Sequence, residues 1–584
     1  MPSKPILFQA AFTLSGIDND NQKENPRSRF PRSGSYKTGG YKTGGYKRGA
    51  IFAAVASIFL AACGSAASST SSSSAVAATV GSPTSKTLNL AFTADTQPPD
   101  PDVFYAGQGL AITNSVYEGL VQYQQVPVNY TGDLTFTPPA TRAKIVGDLA
   151  TSWTVSPNGL TYTFNLVKGV TFHDGTPFTS TAVAASFARR KAVNQGPAYM
   201  VSDVASVDTS NPYVAVVHLK QPESAFLDYL ASAYGPKMES PTVLSQHAGK
   251  DNAQTWLATH DAGTGPYYIS SVTPGQEYVL KSYPKYWGAK PYYTTINIKI
   301  IPSISTQELE LRSGKITMLL HGLSTSAIAS FRSDPSFHVY AVPTLETPML
   351  WVNPNSKLLS SSVVRNALAQ AINRAEIVKF IYPGRASVAK QIYPVGELPS
   401  NLAVDNPTYN PKALAKVLPS SAASTTLTLG YDAPSPSDAQ MAALIQTQLA
   451  AAGLHVNVRS YTSTALYGYA GNPAGAPDLL AVTNWPDAQA PDTWARIVMT
   501  PTGGLNYLNC SVPTGTSYLN QGLYTTSAST AQSFDAKAGA AFAASGCWDP
   551  IANRGDTVVA PTWMKGLVHQ VPVPRTLVLA DLHP

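Results

Sequence analysis

The chain has 584 residues, 44% of them apolar and 13% charged, with a formal net charge of +6. It is too long for a single core and is expected to divide into two or three domains. Residues 1–62 hold nine Lys/Arg (Lys4 to Arg48) against Asp18, Asp20 and Glu24, leaving 31 basic and 31 acidic residues in the remainder; the body is neutral, and the overall basicity does not point to nucleic acid.

Lys47 and Arg48 precede the apolar run Ile51–Ala62, which ends in Leu60-Ala61-Ala62-Cys63-Gly64. A positive flank, a short apolar stretch and small residues before the cut predict a signal peptide, and the run is too short to span a bilayer. The Leu-Ala-Ala-Cys ending resembles a bacterial lipobox, which implies that Cys63 carries a thioether-linked diacylglycerol and becomes the mature N-terminus. A buried cysteine near a plain cleavage site is the alternative. The leader is unusually long and polar and repeats Tyr-Lys-Thr-Gly-Gly over residues 36–45; it is either an overlong start or an atypical n-region. Gly64–Lys86 is rich in Ser, Ala and Thr without an apolar face, as in a flexible tether. Two acyl chains at its end give durable membrane anchoring.

The body opens with a strand, Leu88–Phe92, and a Pro-rich turn, Gln97–Pro101. Ile112–Gln124 reads as an amphipathic helix. In residues 149–189, Leu160, Tyr162, Phe164 and Leu166 alternate as in a strand, and Asn158-Gly159 and Asp174-Gly175 mark turns. Thr179-Ser180-Thr181 then opens an Ala-rich helix. Tyr283–Pro291 closes a hairpin before a strand at Ile296–Ile301, and Gln307–Lys315 reads as a helix ending at Gly314. Val363–Pro383 has apolar residues at helical spacing. Residues 426–459 read as strand (Thr426–Tyr431), helix (Ala439–Ala452), a Gly453 stop and strand (Leu454–Arg459), a crossover that favours a parallel pair.

The words in these elements resemble family 5 extracellular solute-binding proteins, the peptide- or nickel-binding subunits of ABC importers. The agreement is densest in residues 149–189, LATSWTVSPNGLTYTFNLVKGVTFHDGTPFTSTAVAASFAR. Further words are Val116-Tyr117-Glu118-Gly119-Leu120, Gly263-Thr264-Gly265-Pro266-Tyr267, YPKYWGAKP at 283–291, VVRNALAQAINR from Val363, and NPTYNPK at 406–412. The likeness runs over roughly residues 88–495. One departure is Ser180-Thr181-Ala182-Val183, where the family has acids at the helix start, a matter of helix stability. The resemblance implies an α/β, two-lobed periplasmic-binding-protein-like fold of the class II type, with an extra domain and a discontinuous first lobe. By analogy, residues 1–62 are leader and signal peptide and 63–86 the lipid-anchored tether. Lobe I is 86–127, 264–343 and 555–584; 128–263 is an inserted domain II; 344–554 is lobe III.

The residues themselves carry no P-loop, Rossmann glycines, GxSxG elbow, CxxC or HExxH. His173-Asp174 reads as a turn aspartate before Gly175 with a packed neighbouring histidine, and the other histidines are scattered. No catalysis, metal site or cofactor is expected. Cys510 and Cys547 are the remaining cysteines; in an exported protein they are expected to be bridged, two separate thiols being the alternative.

For the ligand site, the family resemblance points to Asn484-Trp485-Pro486-Asp487-Ala488-Gln489-Ala490-Pro491. In peptide-binding members an aspartate four residues before a proline grips the peptide's α-ammonium. Asp487 and Pro491 keep that spacing, whereas Trp485 lies two residues before Asp487 where the family often has three; Asp492 is the rival carboxylate. Tyr117, Trp351 and Asn353 lie at family positions near the cleft, with structural packing as the competing reading. The implied protein is an exported, lipid-anchored, monomeric subunit that captures an oligopeptide by hinge closure and delivers it to ABC permease subunits. Another solute (a nickel chelate, sugar or opine) is the alternative ligand, and an exported hydrolase on this fold is the alternative class.

Overall fold

Apolar alternation in Thr87–Phe92 puts Leu88 and Leu90 on one face, and both are fully buried. The structure is a computed structural model and describes residues 83–584 except Gln97 and Ala140. The leader, Cys63 and all but the end of the tether lie outside the described residues. Strand Thr87–Phe92 runs parallel to Thr295–Ile300, which pairs antiparallel with Glu277–Ser282 and through it with Tyr267–Thr273. The loop Tyr283–Thr294 closes the antiparallel pair, as the sequence predicts for Tyr283–Pro291. Leu280, Ile296 and Ile298 complete the inner face of this sheet.

A second four-stranded sheet has the order Ala150–Val155, Thr161–Leu166, Val214–Leu219, Val204–Asn211. Gly159, at φ 68°, makes the predicted turn between its first two strands, and Tyr162, Phe164 and Leu166 face inward. Helix Ser180–Val193 lies against it through Ala182, Val183 and Phe187. His173 and Asp174 are structural. The imidazole Nδ1 is bonded to Asp261 and Nε2 lies 2.9 Å from the Gly265 carbonyl, while Asp174 accepts from Thr176 N and from Ser240 Oγ.

The third sheet is built on the sixteen-residue strand Phe337–Val352. Its first half pairs with Ala552–Pro561; its second half pairs with Leu479–Asn484 and with Trp548–Pro550. The ladder with Ala552–Pro561 slips between Val342 and Glu346. On one side of the slip Tyr340, Val342, Val558 and Ala560 join the core of the first sheet. On the other, Leu350, Val352 and Ile551 join a separate core with Leu427, Leu429, Ile445 and Leu479. Two antiparallel strands thus connect two cores, the framework of a two-lobed α/β protein. The predicted crossover is present: Thr426–Asp432 and His455–Tyr461 pair in parallel along their whole length, joined by helix Pro436–Ala451, with Gly453 at φ 88°.

Two predicted helices differ. Ile112–Gln124 is helical only as Leu110–Val116; Tyr117 is extended, and Val121–Tyr123 pairs with Ile145–Gly147. The cause is tertiary. Glu118 accepts hydrogen bonds from Thr264 Oγ1 (2.7 Å), Trp287 Nε1 (3.0 Å) and Tyr286 Oη (3.0 Å), and Gly119 N donates to Asp148. These bonds replace the turns a continued helix would supply. Val363–Pro383 is two helices, Ser362–Ala371 and Arg374–Ile381. Ile372 is extended and the Asn373 side chain accepts from Glu376 N, capping the second helix. The helix predicted at Gln307–Lys315 starts at Ile304, capped by Ser303, and gives way to Gly314 at φ 71°.

Cys510 and Cys547 are joined by a disulfide across 37 residues. Among the described residues no helix is long and apolar enough to cross a membrane.

Candidate functional site

Strand Leu479–Asn484 is followed by the loop Trp485–Ala490, which leads into helix Pro491–Met499. Pro491 at the first helical position stops the strand from continuing and needs no amide partner. The loop is clasped by groups from residues 123–232: Gln489 N donates to Tyr123 Oη, the Gln489 side-chain Oε1 accepts from the Ala143 backbone N, and Ser232 Oγ donates to the Asp487 backbone carbonyl. These bonds tie the Asp487 loop to residues 123–232.

The Asp487 carboxylate is 4% exposed. Its Oδ2 accepts from Tyr105 Oη at 2.5 Å and Tyr199 Oη at 2.6 Å, and no ion pair reaches it among the described residues. Burial pushes its carboxyl up to about 6, against the pull of the two tyrosine hydroxyls. Desolvation without a counter-charge disfavours the ionised form, so this carboxylate gains from any cation that enters. Asp492, the rival, is already neutralised: Arg496 grips it with two bonds and Tyr229 Oη donates to it.

Aromatic side chains extend the site away from Asp487. The Tyr105 ring meets Tyr234 edge-on at 5.4 Å, Trp485 Nε1 donates to Tyr234 Oη at 3.2 Å, and the Arg575 guanidinium lies 5.3 Å over the Trp485 ring. Tyr105 keeps 37% and Tyr467 55% of their surface open, yet burial pushes the Tyr467 hydroxyl up to about 12 and the Tyr105 hydroxyl well above its usual range. Buried polar atoms without a protein partner lie at the end of the strand and on the loop, Asn484 Nδ2 and Gln489 Nε2. Such atoms are costly unless a ligand or water meets them. Two open surface depressions, of about 530 Å³ at Thr426 and His455 and about 370 Å³ at Tyr130 and His338, involve none of these residues.

Asp487 and Trp485 share one loop, while Tyr117 and Trp351 lie inside cores and Asn353 is buried. Tyr117 is 1% exposed and its hydroxyl accepts from Ala262 N, within the first-sheet core. Trp351 is buried against Tyr507. The Asn353 amide is spent on its own backbone surroundings, donating to the Pro477 carbonyl and accepting from Asn355 N. These contacts fit the packing reading of all three: Tyr117 directly follows helix Leu110–Val116, Trp351 lies in strand Phe337–Val352 and Asn353 directly follows it. Tyr105, Tyr199, Tyr234 and Arg575 were not singled out by the sequence; each is a lone residue in a loop or short turn, without a motif.

Asp100, Asp102 and Glu239 are close enough together to hold a cation, but the cation is already present. Arg189 Nη1 lies 2.7, 3.0 and 2.9 Å from the three carboxylates, and Arg190 adds a bond to Asp102.

The chain belongs to the bacterial extracellular solute-binding proteins, family 5, whose middle-region model matches residues 144–506. It is 29% identical over 400 residues to a probable D,D-dipeptide-binding periplasmic protein of Escherichia coli K12, covering 68% of this chain and 74% of that one. Among solved structures it resembles NikZ from Campylobacter jejuni in complex with Ni(L-His), with a TM-score of 0.72 and 20% identity over 85% of this chain and 99% of that one. It also resembles the periplasmic binding protein DppA from Helicobacter pylori in complex with the peptide STSA, with a TM-score of 0.70 and 23% identity over 85% and 98% of the chains. Members of this family are extracytoplasmic substrate-binding subunits of ABC importers, not enzymes.

Proposed function

We propose that this protein captures oligopeptides with a free N-terminus and hands them to ABC permease subunits. The observation that carries this is the buried Asp487 carboxylate, which is held by two tyrosine hydroxyls and lacks a cation. A peptide ammonium supplies that cation, and in a seam closed to water the charged pair is strengthened. Unpaired Asn484 Nδ2 and Gln489 Nε2 are donors suited to peptide carbonyls, and the peptide- or dipeptide-binding names of several relatives support the same class.

The ladder slip at Val342–Glu346 lies where the two strands pass between cores, and it supports a hinge there, with lobe I formed by 86–127, 264–343 and 555–584, domain II by 128–263 and lobe III by 344–554. Closure of the lobes then clamps the ligand. The protein works as a monomer held to the membrane by lipid on Cys63. The test is calorimetric titration with alanine peptides of two to five residues, free and N-acetylated. Free peptides are expected to bind and acetylated ones to lose at least thirty-fold, roughly the lower bound for breaking a buried charge pair. Equal affinities would reject the ammonium site.

A further inference from the structure

We infer that Arg575, presented by the C-terminal hairpin, is a carboxylate anchor at the far end of the Asp487 site, so that the ligand is a short peptide carrying an anionic group as well as its ammonium. This rests on the peptide-binding reading above.

The hairpin holds the arginine in a set position. Val568–Gln570 runs out, the chain turns, and Val578 N returns to the Val568 carbonyl. Thr576 Oγ1, next to Arg575, is bonded to the carbonyls of Gln570 and Val573 and accepts from Gln570 N. Arg575 itself has φ 63°, the left-handed region, which costs a residue with a Cβ about 1 kcal/mol or more. Glycine or asparagine would fit this turn with less strain.

The guanidinium is shaped for a guest. It lies over Trp485, and Gly107 makes room for both: a Cβ at Gly107 would lie 2.9 Å from Arg575 Nη1 and 2.9 Å from Trp485 Cζ2. The planar guanidinium fork has the geometry for two parallel bonds to a carboxylate. None of its donors has a partner among the described residues, and Nε is sealed from solvent. Arg189, Arg190, Arg374 and Arg554 each meet a carboxylate, and the buried Arg365 and Arg385 donate to backbone carbonyls; Arg575 does neither.

The charged groups facing Arg575 do not take its place. Asp432 and Asp556 feel its field, as does His321, a neutral neighbour whose pKa is lowered chiefly by burial. Neither carboxylate forms an ion pair with it; Asp432 accepts from Ser463 Oγ and Asp556 from Thr557 N. Tyr234 is acted on by both Asp487 and Arg575, with opposite sign, and its hydroxyl touches Trp485. Asp487 reaches Tyr234 through Tyr105, and Arg575 reaches it through Trp485, a spacing that an extended peptide advancing roughly 3.5 Å per residue bridges with a few residues.

The test uses the intact disulfide-bonded protein, titrated with alanine peptides of two to five residues, their C-terminal amides, and amides ending in glutamate. On the wild type, amidation is expected to weaken the best-binding length by about thirty-fold. Arg575→Gly should bind free and amidated forms equally while melting no lower than the wild type, because glycine relieves the left-handed turn. Arg575→Lys should retain part of the preference. Recovery of affinity by the glutamate side chain, dependent on Arg575, assigns the anchor to a side-chain carboxylate and not to the C-terminus. Indifference of the wild type to amidation, with N-acetylation still harmful, would overturn the Arg575 anchor alone. Failure of every peptide to bind would overturn both this inference and the peptide reading.

Discussion

Asp487→Asn should act in opposite directions on stability and on binding. Asparagine keeps an oxygen that accepts from both Tyr105 and Tyr199 but removes the charge. In the unliganded protein, burial raises this carboxyl from 3.8 to about 6, and those two units amount to about 3 kcal/mol of penalty on the ionised form. The folded state holds its proton more tightly than the unfolded chain, so the penalty grows as pH rises through that window and is complete above about pH 6. At pH 7.5 Asp487→Asn should therefore raise the Tm by a few degrees, with the gain reduced because hydrogen bonds to a neutral acceptor are weaker. At pH 4 the two proteins should melt almost together. Binding of a free-N-terminus peptide should fall by about 2–5 kcal/mol, or roughly thirty-fold to several-thousand-fold. N-acetylated peptide should be nearly indifferent to the substitution, so calorimetry on the four combinations gives the coupling energy. Wild-type affinity should itself weaken as pH falls through about 6, as the carboxylate takes up its proton, and the variant should lose that dependence. A lower Tm at pH 7.5, or a coupling energy near zero, would refute the account of Asp487 as a buried carboxylate awaiting a cation.

Glu118→Ala should cost about 3 kcal/mol or more, because it leaves the Thr264, Tyr286 and Trp287 donors without an acceptor. Glu118→Gln should be mild, since burial and the nearby Asp148 already push Glu118 up to about 8; chemical denaturation of both variants at pH 7 checks the contrast. Reducing the disulfide between Cys510 and Cys547 should lower stability by roughly 3–4 kcal/mol in the chain-entropy model, and peptide mapping without reductant should join the two peptides. Cys63→Ala should release the protein from cell membranes, and mass analysis of the membrane-extracted wild type should show an acylated fragment beginning at Cys63; unchanged fractionation would count against the lipid anchor.

Much of the fold is written locally. Turn glycines such as Gly159 and Gly453 need positive φ, period-2 alternation in Thr161–Leu166 selects a face, and the Thr426–Tyr461 crossover demands a parallel pair, so short stretches of chain determined these elements. The family words carry the rest of the architecture, and the same words placed Asp487 in its loop. What the sequence could not decide is where a local preference meets a distant partner. The helix expected over Ile112–Gln124 ends at Val116 because Glu118 bonds to side chains of residues 264, 286 and 287. Trp351 and Asn353 share strand words with a cleft but pack inward, because their strand is covered on both faces. Asp487 meets Tyr105 and Tyr199 across 382 and 288 residues, and Arg575 reaches Trp485 from the C-terminal hairpin. Contacts of that length leave no periodicity in the sequence, since the chain between them is free to take any path that closes the cores. The sequence by itself determined the class of protein and singled out Asp487; which side chains surround Asp487 was decided only by the tertiary structure, because they come from segments hundreds of residues away.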